Sequence, residues 1–392
     1  MKKFEVKMLD GNKIAIYQQE YLTISMTFIY RQLQGIQKKY NPIVLTSKVE
    51  NLKVFPCDQI YSCPKKYAER IINKLYRTVT SKYATLSKAQ CNYYCEILKK
   101  ENVKLIHSHF GPSALEILPV AKKLNIPLVV TFHGYDASSL LKNNIYVNQL
   151  RELFEYGEII TVSQKMKNDL MKYGAKESKI RVHYIGVPIQ DFSFNEKKSI
   201  EDKKKKNEVI NFLQVSNFVE KKGHKYTISA FKEFLEFYPN SQLILGGDGP
   251  LKKDMEELCK ELKVENKVQF IGKVVKEEVV QLMQEADVFL HHSVTSGNGD
   301  QEGIPTVIME AMASGVTVVS TYHAGIPELI KDGYSGYLAQ EKDIHGYVKK
   351  LKEVVESNNQ IRENALNHID KNYNMNIQNE KLIRIYDEIL SY

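Results

Sequence analysis

The chain has 392 residues, 43% of them apolar, 26% charged and 10% aromatic, and carries a formal net charge of +8. This is globular composition, and the length is a prior for two domains of roughly 150–200 residues each; no apolar run approaches the roughly 18 residues that a membrane-spanning helix needs. MKKFEVKMLDGNK has lysines with no apolar stretch behind them, so no signal peptide is expected, and five cysteines without a CxxC pair predict a reduced, cytoplasmic protein without structural zinc.

In chain order, the apolar runs IAIY (14–17), PIVLTS (42–47), VKLIHSH (103–109), PLVVTFH (127–133), EIITVS (158–163) and IRVHYI (180–185) predict strands. Between them, SALEILPVAKKL and SQKMKNDLMKYG have helical spacing. The strands lack polar alternation, as expected where helices cover both faces of a parallel sheet. Residues 1–188 hold 29 Lys/Arg against 15 Asp/Glu, and the remainder 26 against 32. The excess peaks at 61–104, where Lys65, Lys66, Arg70, Lys74, Arg77, Lys82, Lys88, Lys99, Lys100 and Lys104 are interleaved with Tyr67, Ile71, Leu75 and Val79. A basic amphipathic helix of this kind suits an anionic membrane surface or a phosphorylated ligand, and equally a solvated face. No nucleic-acid-binding motif accompanies the charge, so no nucleic-acid partner is expected.

The stretch 189–208, which includes DFSFNEKKSIEDKKKKNE, is charged and aperiodic and reads as an exposed linker, its lysines 203–206 solvated. The pattern then restarts: VINFLQVS (209–216), SQLILGG (241–247), KVQFIG (267–272), DVFLHHS (287–293), VTVVST (316–321) and SGYLAQ (335–340) predict strands. NIQNEKLIRIYDEILSY predicts a last helix. The expected architecture is α/β: two Rossmann-like doubly wound domains, 1–188 and 209–372, facing each other across a cleft at the carboxyl ends of their sheets, where open α/β sheets bind ligands.

Several chemistries are excluded by what is missing. There is no GxxxxGK[ST], no GxGxxG after a strand, no HExxH, no GxSxG and no Asp-x-Asp pair. The informative segment is SVTSGNGDQEGIPTVIMEAMASG (293–315), a Gly-rich loop running into a helix expected to begin near Pro305, where proline suits the first helical position. Glu302 lies in the loop and Glu310 about two turns into the helix. Between them, free N–H groups at the positive end of the helix dipole make a site for a diphosphate.

The segment Glu302-x7-Glu310 resembles the signature of retaining glycosyltransferase family 4, which has the GT-B fold, and most closely its colanic-acid and exopolysaccharide type. The likeness extends through HSHFGPSA (107–114), VTFHGYDAS (130–138), VSQKMKNDL (162–170), VSNFVEKKGHKYTISAF (215–231), LGGDGPL (245–251), VQFIGKV (268–274) and STYHAGIPELIKDGYSGYL (320–338). The resemblance implies that Lys222 neutralises the departing diphosphate and that Glu302 contacts donor-sugar hydroxyls, beside the backbone of Gly303, Ile304 and Thr306. It also implies that Glu310 binds ribose, His133 faces the sugar from the N-terminal domain, and Ile271 and Gly272 read the base. Asn217 stands where many relatives have arginine, with Lys221 as its candidate substitute. YLTISMTFIYRQL (21–33) replaces the Gly-Gly loop of many members.

His107 and His109, on one strand, read as packing or cleft lining; His291 and His292 read as strand-end residues near the cleft. Asp136 reads either as an acceptor contact or as a helix cap. The expected function is a metal-independent, retaining hexosyl transfer from a nucleotide diphosphate sugar, with uridine favoured, and no cofactor. The acceptor would be a hydroxyl of a glycan or lipid-linked saccharide at the inner face of the membrane. The helix at 373–392 is expected to pack back on the N-terminal domain. Two other readings are a non-catalytic GT-B partner that binds glycan or stabilises an active transferase, and a sugar-nucleotide epimerase.

Overall fold

The computed structural model describes residues 12–23, 26–64, 78–80, 82–192, 200–356 and 360–391. The chain divides into two units: unit 1 is Met1–Gly186 with Asn376–Tyr392, and unit 2 is Val187–Met375. Each is built on a fully parallel sheet.

In unit 1 the strands are β1 (Lys13–Tyr21), β2 (Asn41–Val49), β3 (Ile60–Ser62), β4 (Val103–His109), β5 (Leu128–Phe132), β6 (Glu158–Thr161) and β7 (Ile180–Val182). Their order is β3-β2-β1-β4-β5-β6-β7, with Ala15 of β1 opposite Ile43 on one side and Ile106 on the other. Alternate residues of a strand face opposite sides, and here both sides are covered. Ala15, Tyr17, Ile43 and Leu45 pack in one core with Leu115, Leu118 and Leu150. Ile14, Ile16, Val44, Leu105 and Val129 pack in the other, against Ile29 and Leu33 of the helix Thr27–Ile36 and Leu382 and Tyr386 of the last helix, Met375–Leu390. That is why these strands read as continuous apolar runs.

In unit 2 the strands are β8 (Ile210–Val215), β9 (Ser241–Gly246), β10 (Val268–Gly272), β11 (Val288–Leu290), β12 (Thr317–Thr321) and β13 (Tyr337–Ala339), ordered β10-β9-β8-β11-β12-β13. Counted within the unit this is the Rossmann order 3-2-1-4-5-6, whose direction reverses between β8 and β11. Phe212 of β8 sits edge-on to Phe231 and Phe234 of the helix His224–Phe234, with ring centroids 5.7 and 5.1 Å away. Side-chain caps set helix starts in both units: Ser87 with Gln90 in a capping box, Ser163 on Met166 N–H and Asp343 on Gly346 N–H.

Three sequence expectations change. The stretch 189–208 is only in part a solvated linker: Ile200–Lys205 is a helix and Ile200 is buried in the core of unit 2, while Lys204, Lys205 and Lys206 are exposed as expected. Lys203 reaches Asp287 at 2.8 Å, where the carboxylate is buried and also accepts from Asn211 N–H. One apolar residue and one buried partner recruit the segment, and neither leaves a periodic signal. The basic stretch 61–104 is not one helix either. Lys88–Lys100 is a helix with Tyr94, Cys95 and Leu98 buried, β4 follows it, and Val79 is exposed; Lys65, Lys66, Arg70, Lys74, Arg77, Tyr67, Ile71 and Leu75 lie outside the described residues. The three-residue edge strand β3, half-buried, is too short for its period to show. Among the described residues, no helix is long and apolar enough to cross a membrane.

Candidate active site

The reversal of strand order in unit 2 brings together two segments distant in sequence. The segment leaving β8 runs from Ser216 to a 3-10 turn at Glu220–Lys222, and the segment leaving β11 runs from His291 to Pro305. All three residues of the turn are tied to the second segment. Glu220 accepts from Gly297 N–H at 2.9 Å, Lys221 pairs with Asp300 at 2.9 Å while its carbonyl accepts from Val294 N–H, and Lys222 pairs with Glu302 at 2.8 Å. Gly223 permits this approach: its φ is +63°, and a Cβ there would lie 1.7 Å from the His292 carbonyl oxygen.

The Glu302 side chain is only 10% exposed. Burial alone would raise its pKa, but the Lys222 and Lys221 charges outweigh burial and hold it at about 2. The carboxylate is therefore ionised at neutral pH and paired with Lys222.

Beyond Glu302 the helix spans Thr306–Ala313, with Pro305 in extended backbone (φ −67°, ψ 116°) at its cap. It starts one residue later than expected, and Glu310 is its fifth residue, just over one turn in rather than the two expected. The N–H groups of Thr306 and Val307, first in the helix, have no intrahelical acceptor. With two lysines at the end of β8 and a helix start after β11, this end of the sheet suits an anion.

The other expected residues spread along the same carboxyl edge. Asn217 is exposed just after β8. Ile271 and Gly272 end β10, the outermost strand, where the Gly272 carbonyl accepts from Gly247 N–H at 2.7 Å. No hydrogen bond or ion pair among the described residues joins Ile271 or Gly272 to Lys222 or Glu302. Gly303 accepts from Gly325 N–H through its carbonyl, while Ile304 buries its side chain.

In unit 1, His133 follows β5 and its Nε2 lies 3.0 Å from His109 Nδ1, between the rings of Phe110 and Phe28 with centroids at 4.6 and 4.9 Å. Burial first, and then the neighbouring His107, push its pKa down to about 3, so it is neutral. Its Nδ1 is buried with no hydrogen-bond partner. Asp136 is fully buried and accepts from the N–H groups of Gly111, His133 and Gly134, which favours the cap reading: it fixes this turn to the start of the helix Gly111–Leu124. His107 bonds Thr131 and Tyr386 inside the core.

His291 and His292 are fully buried rather than lining an open edge. His291 Nδ1 bonds the Ser293 hydroxyl, and His292 accepts from Lys342 N–H while packing on Tyr226 and Tyr347. Sequence reasoning missed His323 and Glu341. His323 Nε2 accepts from Glu302 N–H, and Glu341 contacts both His323 and Thr295. His323 lies within the recognised STYHAGIPEL segment, whereas Glu341 belongs to no motif and carried no signal. Among the described residues no three His, Cys, Asp or Glu side chains converge to hold a metal ion.

Two family models match the chain side by side: Glycosyltransferase Family 4 over residues 36–191 and Glycosyl transferases group 1 over residues 195–372. The chain is 33% identical over 248 residues, 62% of its length, to WcaL of Escherichia coli K12, named for colanic acid biosynthesis, and 30% identical over 243 residues to the amylovoran biosynthesis glycosyltransferase AmsK of Erwinia amylovora, again 62% of its length. These matches span 59% and 58% of the relatives, less than two thirds of their length. In three dimensions it is similar to HepE of Anabaena in complex with UDP, with a TM-score of 0.76 and 17% identity over 96% of this chain and all of that one, a likeness of fold. The paired parallel α/β units are those of the GT-B fold. The chain thus carries a Glycosyltransferase Family 4 part followed directly by a Glycosyl transferases group 1 part, which together span most of its length.

Proposed function

We propose that the protein is a retaining, metal-independent hexosyltransferase that moves a sugar from a nucleotide diphosphate donor, a UDP-sugar by preference, to a hydroxyl of a glycan or lipid-linked saccharide in surface-polysaccharide synthesis. The observation that carries this reading is the Lys222–Glu302 pair at the reversal of the unit 2 sheet, next to the unpaired start of the helix holding Glu310. Lys222 and Lys221 offset the charge that develops on the leaving diphosphate, the task a metal performs elsewhere. Glu302 accepts from sugar hydroxyls with the N–H groups of Gly303 and Ile304 beside it, the helix-start N–H of Thr306 holds a phosphate oxygen (Pro305 has none to offer), and Glu310 binds the ribose. Asn217, Ile271 and Gly272 complete the nucleotide side, and His133 acts on the transferred sugar. Attack comes from the face that the leaving group vacates, with the departing phosphate taking the acceptor proton. Further support comes from HepE, a structure of similar fold that holds UDP and, in another crystal, UDP-glucose, and from the exopolysaccharide names of WcaL and AmsK. The basic residues of 1–188 serve the acceptor and an anionic membrane surface at the cytoplasmic face.

Isothermal titration of UDP, GDP and their hexose conjugates in EDTA, for wild type and Glu310→Ala, tests the donor site. One nucleotide should bind without metal and be lost in the variant; product NMR should show the donor's anomeric configuration kept. Glycan binding without any nucleotide binding would instead identify a non-catalytic partner subunit.

A further inference from the structure

One carboxylate, from outside every motif, ties both ends of the loop that carries Glu302. Near the start of the loop, Thr295 N–H donates to Glu341 Oε2 at 2.8 Å. At its end, Glu302 N–H donates to His323 Nε2 at 3.1 Å, and His323 Nδ1 lies 2.6 Å from Glu341 Oε1. A backbone amide only donates, so Nε2 is the unprotonated ring nitrogen. The proton sits on Nδ1 and is donated to Glu341. His323 is fully buried, which holds the ring in this one tautomer and orientation. The three groups come from the carboxyl ends of β11, β12 and β13, which are neighbours in the sheet. Glutamate suits the task because its two acceptor oxygens serve three donors, the N–H of Thr295, its hydroxyl at 3.4 Å and His323 Nδ1–H; a glutamine offers one such oxygen, and its NH2 group would face an N–H.

We propose that His323 and Glu341 are positioning residues that present Glu302 to the donor sugar, while the nucleotide diphosphate is held independently of them. The inference rests on the reading of Glu302 as a sugar contact. It predicts a defect confined to the sugar. Loosening the loop end removes the hydrogen bonds that the sugar makes to Glu302 and leaves those of the nucleotide.

The test is titration of the full chain with UDP and with UDP-glucose, UDP-galactose, UDP-N-acetylglucosamine and GDP-mannose, in wild type, Glu341→Gln, His323→Ala and His323→Gln. UDP affinity should stay within about twofold, while the conjugate that binds wild type best should weaken roughly ten- to a hundredfold in Glu341→Gln and His323→Ala. His323→Gln should recover part of the loss, because its Oε1 can take the place of Nε2 as acceptor from Glu302 N–H. Equal losses for UDP and the conjugate, or no loss in either, would overturn the proposal. A wild type that binds UDP but gains nothing from any attached sugar would overturn the reading of Glu302 itself. Should a variant fail to fold, nitrogen NMR of the wild-type histidines still decides: a proton on Nδ1 of His323 is expected, and a proton on Nε2 would end the argument.

Discussion

In unit 1 the strand order turns between β1 and β4, and the side chains gathered at the carboxyl ends of β4 and β5 are neutral rings: His107, His109 and His133, all pushed down by burial, packed with Phe28 and Phe110. In unit 2 the same turn of strand order gathers two ion pairs, Lys221 with Asp300 and Lys222 with Glu302. The charge of the sequence runs the other way, since 1–188 is strongly basic and the rest is acidic. Net charge counts the solvated surface. A site's electrostatics depend on which few charges are buried and paired, and here the acidic part of the chain presents the fixed lysines.

The contrast breaks first at the buried pair. Lys222→Met leaves Glu302 without its ion-pair partner and should cost about 3–5 kcal/mol, read by hydrogen exchange as lost protection in unit 2 with unit 1 unchanged. Lys222→Met with Glu302→Leu should recover most of that stability and still fail to transfer sugar. Equal loss of protection in both units would show that the pair does not belong to unit 2 alone.

Unit 1 depends on packing instead. Leu382 of the last helix is 1% exposed in the core with Ile14, Val44 and Leu105. Leu382→Ala should cost about 2–5 kcal/mol, this time with protection lost in unit 1, and an unchanged exchange pattern would mean the last helix does not contribute to that core.

Acid sharpens the comparison on a smaller scale. Burial pushes His183 down to about 4, so the unfolded chain binds its proton first. Its contribution to stability is fully present above the ordinary value of about 6.5 and is lost as pH falls towards about 4. Glu302, held at about 2, contributes above the ordinary carboxylate value and loses that contribution only below about 4.5. Unit 1 should therefore weaken between pH 6.5 and 4 while the Glu302 pair is intact. His183 Nε2 bonds the Gln378 carbonyl at 2.8 Å, a bond that glutamine can keep. His183→Gln should flatten the pH dependence of stability by up to one proton, about 1.4 kcal/mol per pH unit. An unaltered slope in chemical denaturation would remove His183 from this account.

Particular residues show how far the sequence reaches. Twelve of the thirteen strands could be placed from apolar runs because both faces of a parallel sheet are buried; β3 was missed, and β7, β11 and β13 were read too long because each run extends beyond the paired residues. The loop and helix that carry Glu302 and Glu310 were legible through a motif whose loop, proline and small residues each answer a local need of backbone or packing, whereas Lys222 was singled out only by the family resemblance. The helix at 200–205 was not, since a single isoleucine and the Lys203–Asp287 pair recruit it. Glu341 was not either, because a lone glutamate after a short strand looks like any solvated one.

By itself, then, the sequence determined two α/β halves, their element order and the loop and helix that bear the two glutamates. These follow from short-range rules: periodicity, turn chemistry and helix starts. Only the tertiary structure decided that Lys222 meets Glu302, that His323 accepts from the amide of Glu302, and that the histidines of unit 1 are neutral and packed. The reason is topological. Strand order sets β8 beside β11 although β9 and β10 intervene in the chain. The partner of a polar group is then whichever side chain the sheet delivers to the same edge.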